Sequence, residues 1–105
     1  MYCQKLLEER DVVGYIFGHA GDGNIHMVMP GIPNDLREWS VIEDINERVV
    51  TRAVELGGTC TGEHGVGIGK RKFMELEHGQ SYDLMKAIKE LVDPKGLMNP
   101  DKIFF

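Results

Sequence analysis

Five side chains in two short stretches have the types that carry out acid, base and metal chemistry. The first stretch is Gly18-His19-Ala20-Gly21-Asp22-Gly23-Asn24-Ile25-His26 and the second is Gly62-Glu63-His64-Gly65. Asp22-Gly23 is the dipeptide that a two-residue primed hairpin turn favours, because both central positions need φ > 0. Pairing across that turn sets Gly21 opposite Asn24, Ala20 opposite Ile25 and His19 opposite His26. Directly opposed residues of an antiparallel pair bring their Cβ atoms to about 4.5–5.5 Å, close enough for two imidazole nitrogens to converge on one ion. With Glu63 the pair offers two nitrogens and a carboxylate oxygen, the ligand set of open sites that leave a position for water or substrate. Imidazole with carboxylate accommodates Zn²⁺, Mn²⁺ and Fe²⁺ alike, so His19, His26 and Glu63 are the expected ligands of a divalent metal of open identity. Asp22 is accounted for by the turn.

Neighbours in an extended segment point to opposite sides, so a metal-facing Glu63 sends His64 toward whatever lies over the glycines. An imidazole titrating near about pH 6.5 suits general-base work, and a loop histidine bonded to backbone is the equal alternative. Gly65, Gly67 and Gly69, spaced by two, leave one face of such a segment bare, where a planar ring or another strand could lie flush. The same run is not a phosphate loop, which needs Gly where His64 stands and Ser or Thr where Arg71 stands. Lys70, Arg71 and Lys72 read as a solvated basic face. His78, just before a helix-stopping glycine, reads as structural.

Several elements must position these groups. Residues 1–10 read as the end of a helix with no capping residue at its start, which hints at a truncated chain. Residues 12–17 form a β-branched and aromatic strand, paired with a second strand over residues 25–29 that ends at Pro30. Both faces of this ribbon look covered, with Tyr15, Phe17 and Val28 on the histidine side. After the loop Gly31-Ile32-Pro33-Asn34, a helix opens at Asp35 or at Ser40, each followed three residues later by Glu in a capping-box pattern. Its apolar stripe is Ile42, Ile45, Val49, Ala53 and Leu56, and Gly57-Gly58 stops it. Thr59-Cys60-Thr61 reads as a short strand. Residues 70–78 form a short helix burying Phe73, Met74 and Leu76. A last helix opens at Ser81, lines one side with Leu84, Ile88 and Leu91, and stops at Asp93-Pro94. The tail from Gly96 to Phe105 is irregular, and its apolar end needs a surface to lie on.

These elements define an α+β class: short antiparallel strands in a hairpin around Asp22-Gly23, packed with three to four helices, as part of a larger antiparallel sheet domain. A lone two-stranded ribbon is marginal in water, so further strands are expected from elsewhere in a longer chain or from another copy. The 105 residues, 42% hydrophobic and 28% charged, fit one soluble domain. A net charge of −5 lacks the basic footprint of a nucleic-acid binder. No apolar run approaches the ~18 residues of a membrane span. Cys3 and Cys60 have no Cys-x-x-Cys spacing, so a reducing, cytoplasmic setting is expected.

Taken together, the two glycine-histidine stretches, Thr59-Cys60-Thr61 and Asp93-Pro94-Lys95-Gly96-Leu97-Met98-Asn99-Pro100 resemble the C-terminal domain of FAD-linked oxidases of the vanillyl-alcohol-oxidase type. The form Thr-Cys-Thr-Gly-Glu-His looks most like the cytochrome-linked D-lactate dehydrogenases, and the resemblance runs from about Val12 to Ile103. It implies that residues 1–105 are a single substrate- and metal-binding cap segment, and that FAD is held mainly by a separate N-terminal domain absent from these residues. It further implies that His19, His26 and Glu63 bind a divalent ion that holds a 2-hydroxy acid. D-lactate is the favoured substrate, with glycolate and D-2-hydroxyglutarate as alternatives. His64 would take the hydroxyl proton while hydride passes from C2 to the flavin. Gly65, Gly67 and Asn99 would approach the flavin. Asp101 stands where the resemblance expects glycine. Implied partners are a flavin domain in cis or in trans, an electron acceptor such as a cytochrome or quinone, and a second copy covering exposed sheet. The full-length enzyme could also associate peripherally with a membrane. This chain alone is expected to hold little FAD and to turn over nothing. A metal-dependent hydrolase using the same His-His-Glu set and a non-catalytic metal-binding or interaction module are the alternatives.

Overall fold

Leu6 and Leu7 give the first helix its buried side. In the computed structural model this helix, α1, spans Tyr2–Glu9 and ends without glycine. Asp11 takes the left-handed conformation (φ 51°), its N–H donates to the Glu8 carbonyl, and the Val12 N–H donates to the Leu7 carbonyl. This is the paired closure usually built on glycine, tolerated here because Asp is among the few residues that visit that region. The structure describes residues 2–31 and 34–104. Met1 of the expected first helix, Ile32 and Pro33 of the expected loop, and Phe105 at the end of the tail lie outside the described residues. The chain divides into two compact units, residues 1–52 and 53–105.

In the first unit, strand β1 (Tyr15–His19) pairs antiparallel with β2 (Asn24–Val28). Ile16 and Met27, opposite each other, turn one face inward against Leu6, Leu7 and Ile45, together with Val12, Met29, Val41 and Val49. Ile45 is fully buried at the centre of this core. Packing against helices is what supports a two-stranded ribbon that would be marginal by itself. The other face carries Tyr15, Phe17 and Val28, exposed at 61%, 57% and 47%. The expectation that both faces are covered is therefore corrected: Tyr15, Phe17 and Val28 on the histidine side are exposed.

Helix α2 (Leu36–Glu55) starts at the earlier of the two expected caps. The Asp35 carboxylate accepts the Glu38 N–H at 3.0 Å, while Ser40 lies inside the helix. Asp44 accepts from Arg48 one turn on, at 2.9 Å, and from Arg10. Of the expected stripe, Ile42 and Ile45 are buried and Val49 and Ala53 half-buried, while Leu56 lies past the helix end and is exposed; Val50, outside that stripe, is also buried. Gly57 (φ 84°) and Gly58 close α2 as expected, donating to the Val54 and Ala53 carbonyls.

The second unit has a core of Cys60, Phe73, Met74 and Tyr82. A single 3₁₀ turn (Arg71–Phe73) leads into α3 (Met74–His78), and Gly79 (φ 54°) separates α3 from α4 (Gln80–Val92). Two expectations fail here. Thr59-Cys60-Thr61 belongs to no strand among the described residues, because no partner strand runs beside it. Leu84, Ile88 and Leu91 form the expected stripe, but they and Leu76 face outward, since α4 packs through Tyr82 instead. The tail returns to this helix: the rings of Phe104 and Tyr82 lie 5.7 Å apart, the apolar resting place that the tail required. Among the described residues no helix is long and apolar enough to cross a membrane.

Candidate functional site

The hairpin that carries the two histidines is longer-looped than its sequence suggests. Residues Ala20–Asp22 form a 3₁₀ turn, and only Gly23 has positive φ (70°). The loop therefore has four residues instead of two, and the register changes to His19 opposite Asn24 and Phe17 opposite His26. The expected pairing of His19 with His26 is thus overturned. The displacement amounts to two positions, however, and a strand's side chains alternate with period two, so both histidines stay on one face. They become diagonal neighbours with ring centroids 5.8 Å apart and planes at 81°. The His26 ring also stacks on Phe17 at 5.2 Å. Gly18, between them in the ladder, is obligatory: a Cβ there would stand 2.0 Å from the Asn24 carbonyl oxygen.

Asn24, opposite His19, was not singled out from the sequence. Its side-chain Oδ1 is buried and has no hydrogen-bond partner among the described residues. A buried acceptor without a donor is costly, and a cation or a donor group beside His19 would satisfy it. The two imidazoles and this oxygen suit a divalent ion in donor chemistry.

The second unit holds Glu63, His64, Gly65, Gly67 and Asn99. The segment from Gly62 to Gly69 is not extended, which corrects the expected alternation. His64 (φ 66°), Gly65 (φ 74°) and Gly67 (φ 56°) are left-handed. A turning backbone puts the His64 imidazole and the Glu63 carboxylate 4.0 Å apart instead of on opposite sides. The His64 side chain is 85% exposed. Gly65 and Gly67 face open space, but their positive φ already accounts for glycine at both positions.

The Thr61 hydroxyl can donate to the Glu63 carbonyl at 2.7 Å or the Gly65 carbonyl at 3.0 Å. Lys70 and Arg71 are not a solvated basic face: Lys70 donates to the Cys60 carbonyl at 2.8 Å and Arg71 to the Asp101 carbonyl at 2.9 Å. Burial, with the Glu77 carboxylate alongside, pushes the Cys60 thiol up to about 11. Burial also acts to raise the Glu77 carboxyl, but hydrogen bonds from Thr59 and Cys60 outweigh it and hold Glu77 below the usual carboxylate range. His78 lies 3.7 Å from that carboxylate, in keeping with a structural role.

The tail is ordered by one carboxylate. Asp93 accepts Lys89 Nζ at 2.6 Å and the N–H groups of Leu97 and Met98 at 3.0 Å each, while Lys89 also donates to the Met98 carbonyl. The hydrogen bond from Lys89, followed by those from the two amides, lowers the Asp93 carboxyl to about 2. Beyond this knot Asn99, Asp101 and Ile103 are all left-handed, with φ of 45°, 61° and 67°. That conformation explains why glycine would be expected at Asp101.

The site elements thus define an α+β protein module: a hairpin presenting two imidazoles on an open face, and a glycine-rich loop presenting a carboxylate beside a third imidazole. Comparison with known proteins makes the assignment particular. Residues 2–103 match the C-terminal domain of FAD linked oxidases, and the chain belongs to that family. It is 45% identical over 102 residues to the mitochondrial D-lactate dehydrogenase [cytochrome] 1 of Saccharomyces cerevisiae, covering 96% of this chain and 17% of the yeast protein. It is 43% identical over 98 residues to a probable mitochondrial D-lactate dehydrogenase of Danio rerio, covering 92% of the chain and 20% of that protein. Over 92 residues it is 42% identical to the glycolate oxidase subunit GlcD of Bacillus subtilis, covering 84% of the chain and 19% of that protein. The chain therefore spans about a fifth of the length of these relatives.

Proposed function

We propose that this chain is the substrate- and metal-binding cap segment of an FAD-dependent 2-hydroxyacid dehydrogenase, with D-lactate as the favoured substrate. The observation that carries the reading is the pair of imidazoles held edge to face on an open, apolar-rimmed strand surface. His19, His26 and Glu63 would hold a divalent ion, whose chemistry when bound is to draw charge from a hydroxyl oxygen and so make its proton easier to remove. His64, exposed and one residue along from Glu63, is the residue positioned to accept that proton at an imidazole nitrogen. Tyr15, Phe17 and Val28 would exclude water around the acid once the surface is covered.

FAD would be supplied chiefly by a flavin domain in cis or in trans, with Gly65, Gly67 and Asn99 approaching it from this side. The name of the yeast relative supports a cytochrome as acceptor, and the names of the yeast and zebrafish relatives widen the expected cytoplasmic setting to include mitochondria. The deciding experiment is metal analysis of the purified chain against His19→Ala and Glu63→Ala, paired with D-lactate-dependent flavin bleaching when a flavin domain is supplied. Metal in the wild type alone, with bleaching that His64→Ala abolishes, is the expected result. Equal, near-zero metal in all three chains would defeat the metal site. Flavin-independent hydrolysis lost on chelation would favour a hydrolase instead.

A further inference from the structure

The segment Gly62–Gly69 contains four glycines and neither helix nor strand, so its own backbone supplies little order to the Glu63 and His64 side chains. Two oppositely charged side chains from outside the segment converge on Cys60, just before it. Glu77, riding on α3, reaches back to accept the Cys60 N–H at 3.2 Å. Lys70, the first residue after the segment, turns back ten positions to donate to the Cys60 carbonyl at 2.8 Å. One residue thus has both backbone groups held by ionised partners, the stronger class of hydrogen bond. The support is firm, because Phe73 and Met74 are buried and fix the start of α3, and Cys60 is itself only 4% exposed. Lys70 ties the exit of the segment to its entrance. The Ile103 N–H, donating to the Gly67 carbonyl at 2.6 Å, pins its middle.

We propose that Lys70 and Glu77 are positioning residues that clamp Cys60 from both sides and so hold the Glu63–His64 loop in its working shape. What the loop is held for rests on the function proposed above. The test is backbone ¹⁵N relaxation on the full chain as wild type, Glu77→Gln, Lys70→Met and Lys70→Arg, with a Mn²⁺ titration of each. The expected result is a fall in order parameters from about 0.85 toward 0.6 or lower over residues 62–67 in Glu77→Gln and Lys70→Met. Those of α4 should be unchanged, and Lys70→Arg should restore the loop. Mn²⁺ affinity should fall at least tenfold in the two loosened variants. Loop order parameters that do not change, or loosening that spreads equally through α4, would overturn the clamp. A wild-type chain that takes up no Mn²⁺ would defeat the proposed function instead, leaving the order parameters to decide the clamp by themselves.

Discussion

Replacing Gly18 by alanine should unseat the histidine hairpin. The added Cβ would lie 2.0 Å from the Asn24 carbonyl oxygen and 3.0 Å from Ile25 Cα. Carbon and oxygen in contact stand about 3.3–3.6 Å apart, so β2 would have to withdraw by more than about 1 Å at that point. The obstacle is ladder backbone, which has no rotamer with which to yield. Overpacking ordinarily costs about 1–3 kcal/mol, and a rigid obstacle places this change near the upper end, at about 3 kcal/mol. For a chain of this size that corresponds to a fall in Tm of roughly 12–24 °C. Because Gly18 adjoins His19 and lies beside Asn24, any divalent ion held at the proposed site should be lost together with the hairpin. Gly21→Ala is the matched control: nothing lies within 4 Å of its Cβ position and its φ is not positive, so stability should be retained. Thermal unfolding by circular dichroism, hairpin amide shifts and metal analysis read the outcome. A Gly18→Ala chain within about 0.5 kcal/mol of Gly21→Ala, with native hairpin shifts, would refute the register and the steric argument together.

Other changes follow from the second unit. The Asp93 carboxyl is lowered to about 2, so its stabilising contribution is present above the unfolded value near about 3.9 and is lost as pH falls from about 4 through 2. An acid titration of tail amides should show that loss in wild type and not in Asp93→Asn, which lacks it at every pH; parallel curves would remove Asp93 as the knot. With the Cys60 thiol raised to about 11, thiolate at pH 8 should be about 100-fold scarcer than for an ordinary thiol, so a thiol reagent should modify Cys3 first and Cys60 only on unfolding. Equal rates for the two would contradict the burial of Cys60. Asp101→Gly should stabilise the chain by up to about 1 kcal/mol in urea unfolding, since glycine accepts the left-handed backbone without strain. A loss of stability would show that the Asp side chain contributes contacts the backbone conformation does not explain.

Local chemistry was legible wherever a few adjacent residues settle the outcome. The Asp35 cap, the Gly57-Gly58 closure, the break at Gly79 and the stop at Asp93-Pro94 each depend on hydrogen bonds within one turn, and each stands where the residues indicated. Placing both histidines on one face was equally secure. Strand parity survives a shift of two, although the dipeptide Asp22-Gly23 pointed to the wrong turn. The remainder was decided by tertiary structure, because it depends on partners distant in the chain. Thr59-Cys60-Thr61 has strand composition but, among the described residues, no strand to pair with, and Glu77 and Lys70 take the Cys60 backbone bonds instead. The left-handed turn at His64, which brings that ring to Glu63's side, lies in a glycine-rich segment flanked and crossed by hydrogen bonds from residues 70, 77 and 103, partners that no local pattern announces.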